Sequence, residues 1–268
     1  MYPTRILITK TAVLAMLVVV AVSPALAATY DVTTTDDGND GVCNDHCTLR
    51  EAIVAANGNR DRDVVNLPPG TYRLSIPGRG ENHGATGDLD ILERIDLRGS
   101  GEATTIIDGG GLDRVLHIHR MAWWPGDEAT RITDVTITGG EVQSLERGGG
   151  VLVDGALSLE HSSVESNLAR GYEAAGGGIA NTGALSLKHV TVSANSTDGD
   201  GGDGGGVWNG HGTLSIADSV ISDNATDGGG ADGAGLFSGY GTVSLVRVTV
   251  SRNQTGGPSS DGGGLWIG

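Results

Sequence analysis

The sequence is short of several things at once. Its 268 residues include one Phe, three Met, seven Pro, two Cys, and 17 Lys or Arg against 33 Asp or Glu. With a single Phe, the interior must be built from aliphatic side chains rather than large rings. Two cysteines exclude a disulfide-dense scaffold. A formal net charge of −16 argues against nucleic acid or an anionic membrane surface as partner, because both would repel the chain. Glycine, by contrast, is abundant at 46 residues. With few Pro, no strict three-residue period and plentiful Val, Ile and Leu, that glycine belongs neither to collagen nor to a wholly disordered chain.

Arg5 and Lys10 precede an apolar run over 12–22, followed by Ser23-Pro24 and Ala25-Leu26-Ala27. A basic start, a short apolar stretch and small residues at the end form the pattern of a secretory signal peptide, expected over residues 1–27. No second run of that kind follows, so no transmembrane segment is expected in the mature chain. Removal of residues 1–27 takes away two cations and leaves a net charge of −18. In an oxidising compartment Cys43 and Cys47 are expected to form a disulfide; a metal site from Cys43, His46 and Cys47 is the other reading of the same residues.

Internal repetition decides the architecture. Gly148-Gly149-Gly150-Val151 recurs as Gly176-Gly177-Gly178-Ile179, Gly204-Gly205-Gly206-Val207, Gly233-Ala234-Gly235-Leu236 and Gly262-Gly263-Gly264-Leu265, in steps of 28, 28, 29 and 29 residues. Leu157-Ser158-Leu159 returns as Leu185-Ser186-Leu187, Leu214-Ser215-Ile216 and Val243-Ser244-Leu245. Val164-x-x-Asn167 returns with Asn195, Asn224 and Asn253. From the first residue of the Leu-Ser-Leu element to the Asn is always 10 residues, and from the Asn to the end of the next glycine run always 11. Only the intervening turn varies, as in Gly183-Ala184 against Gly210-His211-Gly212. The elements alternate apolar residues with Ser or Thr at the two-residue period of a strand. One such unit cannot bury its own apolar face, so coils must stack. The reading is all-β: a right-handed parallel β-helix solenoid over 61–268, regular from 148, with the hand expected from crossover chirality. Asn167, Asn195, Asn224 and Asn253 would form an amide ladder, since an amide both donates and accepts. Residues 262–268 open a fifth repeat, and the chain is expected to be truncated there.

Residues 28–60 read as an amino-terminal cap. Thr48-Leu49-Arg50-Glu51 is a capping box, predicting a short helix to about Asn57 that stops at Gly58 and covers the open end of the solenoid. Cys47-Thr48-Leu49-Arg50-Glu51-Ala52-Ile53, behind Val32-Thr33-Thr34-Thr35-Asp36-Asp37-Gly38, resembles the CSLREA domain of secreted bacterial proteins. Such domains precede right-handed parallel β-helices of the pectin-lyase-like class. Val65-Asn66-Leu67-Pro68-Pro69-Gly70-Thr71-Tyr72 looks like that class's first coil, and Ile95–Gly101 with Thr105–Gly109 like its next. The glycine runs are similar to the repeats of chlamydial polymorphic outer-membrane proteins. The resemblance implies a secreted or surface-displayed protein and names no reaction.

No catalytic constellation assembles in the sequence. A polysaccharide lyase or glycoside hydrolase would need acids and bases on neighbouring coils, and His211-Gly212 stands in a variable turn with no partner acids. The segment holding His83, Asp88, Asp90, Glu93, Arg94, Arg98, His117, His119 and Arg120, with Trp123-Trp124 beyond, is the richest in functional side chains. His117 and His119 share a strand face, with no third metal ligand identifiable. No cofactor is required. Asp203, Asp232 and Asp261 should stack one coil apart, and Ca²⁺ would relieve their repulsion; a solvated acidic rim is the plainer and favoured reading of the same residues. Trp208, Phe237 and Trp266 form an aligned column which, if it faces outward, suits polysaccharide or a surface protein. The expected function is that of an extracellular structural or adhesive β-helix, with a carbohydrate-active enzyme as the alternative.

Overall fold

The computed structural model describes residues 27–120 and 128–268. The signal-peptide segment up to residue 26 and Trp123-Trp124 lie outside the described residues. The described residues wind into a parallel β-solenoid with three sheets and one short helix. The broad sheet has 13 strands and runs from Thr29–Asp31 through Asp63–Asn66, Ile95–Arg98, Thr130–Thr133, Ala156–Glu165 and Ala184–Ser193 to Thr242–Val246. A seven-stranded sheet stacks Leu89–Ile91, Leu116–Ile118, Val151–Val153, Ile179–Asn181, Val207–Asn209, Leu236–Ser238 and Leu265–Ile267. A third, five-stranded sheet joins two-residue strands from Glu141–Val142 to Gln254–Thr255.

The register places like on like. Leu157 pairs with Leu185, Leu185 with Leu214 and Leu214 with Val243, while Leu159, Leu187, Ile216 and Leu245 form the next inward column. Leu157, Leu185 and Leu214 are buried, as are Val151, Ile179, Val207 and Leu236 on the opposing sheet. The same columns extend backward into the part of the chain with no visible repeat: Val65, Leu97 and Ile132 lead into Leu159, and Leu89 and Leu116 into Val151. Aliphatic side chains one rung apart fill a narrow interior without large rings, which is why one Phe suffices.

The sharp corner before the third sheet is held by the asparagines. Asn167 Nδ2 donates to Asn195 Oδ1 at 3.0 Å, Asn195 Nδ2 to Asn224 Oδ1 at 3.0 Å, and Asn224 Nδ2 to Asn253 Oδ1 at 2.9 Å. Each of these Oδ1 atoms also accepts the backbone N–H of the preceding coil's asparagine. The second amide proton goes to a carbonyl one coil back: Asn195 to Val164 O and Asn224 to Val192 O. The amides pack against the last glycine of each run. A Cβ on Gly178 would stand 2.9 Å from Asn195 Cγ and 2.6 Å from Gly206 O, so glycine run and asparagine are one device. A second ladder, Asn181 to Asn209 at 2.8 Å and Asn209 to Ser238 at 3.0 Å, runs inside the seven-stranded sheet.

Two further corner columns adopt left-handed backbone without glycine: His161, His189, Asp218 and Arg247 (φ 47°, 54°, 51° and 53°), and Ser166, Ala194, Asp223 and Arg252 (φ 54–59°). Each such residue costs about 1 kcal/mol relative to ordinary backbone, a cost the rungs on either side offset.

The amino-terminal cap is part of the solenoid: Thr29–Asp31 pairs in parallel with Val64, Val65 and Asn66. The helix, α1 (Leu49–Ala56), buries Leu49, Ala52, Ile53 and Ala56 over the end of the core. Both halves of its capping box form, with Thr48 accepting from Glu51 N at 3.1 Å and Glu51 accepting from Thr48 N at 2.9 Å. Cys43 and Cys47 form a disulfide just before it. Arg50 is fully buried; it pairs with Asp37 and donates to the carbonyls of Gly84, Gly87 and Asp88.

The ladder makes a sharp prediction. Asn195→Asp removes two donors and buries a carboxylate against acceptors, so it should cost about 3 kcal/mol or more, exceeding Asn195→Ala at roughly 1–3 kcal/mol. Urea unfolding midpoints would check this; an aspartate variant no worse than alanine would contradict the ladder's role.

Candidate functional site

The outward-facing column of the seven-stranded sheet gathers titratable and aromatic side chains at its two ends. Paired in register, it reads Asp90, His117, Leu152, Ala180, Trp208, Phe237, Trp266. It is polar at the capped end and aromatic at the other, with small or aliphatic residues between.

At the capped end Asp90, His117 and His119 bring one ligand atom each within 4.8 Å of the others, and among the described residues they are the group that does so. His119 Nε2 lies 2.5 Å from Asp90 Oδ1, and His117 Nδ1 lies 3.6 Å from the same oxygen. The rings of His117 and His119 are 3.6 Å apart at 34°. Asp90 is fully buried, His117 nearly so, and His119 keeps one-fifth of its side chain exposed. His117 Nε2 meets Asp154 Oδ2 at 3.0 Å, and Thr182 Oγ1 donates to the other Asp154 oxygen at 2.6 Å. Gly84 N–H donates to Asp90 Oδ2 at 2.8 Å, so the Arg50 bond to the Gly84 carbonyl ties this carboxylate to the cap.

Burial holds His117 below the usual imidazole range, opposed by its bond to Asp154. That same bond, aided by Thr182, lowers Asp154 to about 2 against the opposing effect of desolvation. The two directions are compatible, because a neutral imidazole with its proton on Nε2 still donates to Asp154. It leaves Nδ1 with a lone pair, and that atom is buried with no hydrogen-bond partner. Burial pushes the neighbouring Asp88 up to about 8, against the pull of Arg114.

At the other end Trp208, Phe237 and Trp266 are half-buried and, with His211, Tyr240 and Asp203, line an open groove of about 370 Å³. Phe237 and Trp266 stack at 4.6 Å, and His211 stacks on Tyr240 at 5.3 Å. Arg147 lies 4.6 Å over the Trp208 ring. Trp208 leans over Gly210 and Trp266 over Gly268, where a Cβ would come within 2.1 and 2.5 Å of the rings.

The acidic column stacks, and two of its three carboxylates accept backbone N–H groups of the next coil. Asp203 Oδ1 accepts from Asp232 N at 2.8 Å, and Asp232 Oδ1 accepts from Asp261 N at 2.6 Å. They are strung along the axis rather than turned toward one point. The remaining candidates disperse. Arg94 pairs with Glu128, Arg98 with Asp96, and exposed His83 with Glu81; Arg120 is exposed. Sequence reasoning missed Asp90 as a partner of the two histidines, and missed Asp154 altogether, because the coils that hold Asp90, His117 and His119 carry no repeat to align with one another or with Asp154.

The chain matches no family model, no curated protein and no solved structure in the comparisons made with each. The likeness of Cys47–Ile53 to the CSLREA domain therefore rests on those residues alone.

Asp203 gives a pH prediction. Burial, reinforced by Asp232 and opposed by the Asp232 N–H, raises its carboxyl to about 6. A folded value above the unfolded one of about 3.8 means the native state holds the proton more tightly. The associated stability is present below pH ~4 and is lost as pH rises through about 6. Asp203→Asn keeps the acceptor and loses the charge, so relative to the parent it should gain more at pH 7 than at pH 4. Equal differences in urea midpoint at the two pH values would refute this.

Proposed function

We propose that the protein is an extracellular β-helical scaffold that binds glycan chains through the aromatic groove of its later coils. The observation that carries this reading is the outward turn of Trp208, Phe237 and Trp266, with His211, Tyr240 and Asp203 beside them. Ring surfaces accept the C–H faces of sugars, while phenol, imidazole and carboxylate groups bond hydroxyls. A solenoid holds these groups at a fixed rung spacing of about 4.8 Å, with little entropy left to lose on binding. The leader-like residues 1–27 and the pairing of both cysteines support an extracellular site of action. The capping motif Cys47–Ile53 supports kinship with CSLREA-type secreted β-helices.

The enzyme alternative has less support. Of the acids that contact the histidines, Asp90 is fully buried with no direct access to a glycosidic oxygen, and the more exposed Asp154 is held at about 2 by His117 and Thr182, too low for a general acid at neutral pH.

Retention on a panel of immobilised polysaccharides, with release of reducing or unsaturated ends followed in parallel, tests the reading. Retention without release is expected, and Trp266→Ala should weaken it about tenfold, the worth of one aromatic contact. No retention on any polymer would sink the glycan reading. Release of unsaturated ends would make the protein a lyase.

A further inference from the structure

We propose that Asp90, His117 and His119 bind a divalent transition-metal ion of the Zn²⁺ class, through Asp90 Oδ1, His117 Nδ1 and His119 Nε2. This site is independent of the aromatic groove and lies at the opposite end of the same column.

The first argument is the donor set. Two imidazoles and one carboxylate suit Zn²⁺ and its first-row neighbours, whereas Ca²⁺ and Mg²⁺ take oxygen. The second is spacing. Tetrahedral bonds of about 2.0–2.1 Å separate ligand atoms by roughly 3.3 Å. The present separations include 2.5 and 3.6 Å, with all three atoms within 4.8 Å of one another. Entry of the ion requires His119 and Asp90 to move apart by about 0.8 Å, while the separation of His117 from Asp90 already lies close to the tetrahedral value.

The third argument is the orphan nitrogen. His117 is 6% exposed and its Nδ1 has no hydrogen-bond partner. A buried polar atom without a partner is costly, and a metal bond would remove that cost. A purely structural His–Asp network leaves this atom unexplained, since it would account only for the His119–Asp90 and His117–Asp154 contacts. The fourth is the outer support. Asp154 Oδ2 accepts the Nε2–H of His117 and is itself held by Thr182, while Gly84 N–H fixes the second oxygen of Asp90. Carboxylate-to-histidine-to-metal relays of this kind set the tautomer that a metal requires. The partly exposed His119 side leaves room for water in a fourth position.

The test uses the full chain, stripped with chelator and titrated with Co²⁺ and then Zn²⁺. One Co²⁺ per chain with the strong visible absorption of a four-coordinate N/O site, displaced by Zn²⁺ and not by Ca²⁺, is expected. His119→Ala, at a part-exposed position, should weaken binding about 100-fold with the circular dichroism of the parent. Asp154→Ala should weaken it roughly 10-fold. His117→Ala removes a buried ring and is the less informative variant if it unfolds. No stoichiometric binding to natively folded protein would overturn the proposal, as would binding that His119→Ala leaves within about twofold.

Discussion

The fold depends on one repeated contact: an asparagine side-chain oxygen receiving both the backbone N–H and the amide group of the asparagine one coil earlier. A tight corner exposes backbone groups that no strand can pair, and water cannot reach them here. The amide answers this because it is donor and acceptor together, and because it repeats at the rung spacing of the sheets it joins. The glycines follow from it, since the amide lies where a Cβ would stand. So do the aliphatic columns: once one atom of each coil is fixed against the next, every inward position falls on its counterpart. Hydrophobic burial supplies most of the driving force, but the ladder selects the register in which that burial happens.

How much of this could be read beforehand divides at about residue 148. Beyond it, coils repeat at constant intervals, so Leu157, Asn167 and Gly178 announce their partners by sequence distance alone. Before it, the coils differ in length, and the pairing of Asp90 with His117 or of Val65 with Leu97 depends on turns that no spacing rule encodes. Asp154 illustrates the difficulty: it follows a recognisable strand, yet its partner His117 sits 37 residues earlier. The left-handed corners were hidden for another reason. They are occupied by His, Asp, Arg, Ser and Ala rather than glycine, so local propensity gives no sign of them. The second amide ladder spans only Asn181, Asn209 and Ser238, too few rungs to stand out as a column.

The cap and the site are also less separate than their positions suggest. Arg50, inside the capping helix, would read as a surface cation; instead it is buried and gathers Asp37 with the carbonyls of Gly84, Gly87 and Asp88. Those loops lead directly into Asp90. The helix that shields the open end of the sheets thus also fixes the stretch of backbone that aims a carboxylate at two histidines. A solenoid is stiff along its length, so the two ends of the outward column can differ in chemistry without disturbing each other.

The amide ladder can be read in time as well as in space. Because Asn167 and Asn195 both hand their donors forward, each coil is left with unsatisfied groups until its successor docks. The helix-capped end already has its first strand in place and its core covered, so it is the natural starting point. The ladder therefore favours docking of the coils in chain order, from the capped end onward. Each arriving coil completes the one before it, so a coil reaches its full set of hydrogen bonds only when its successor is in place.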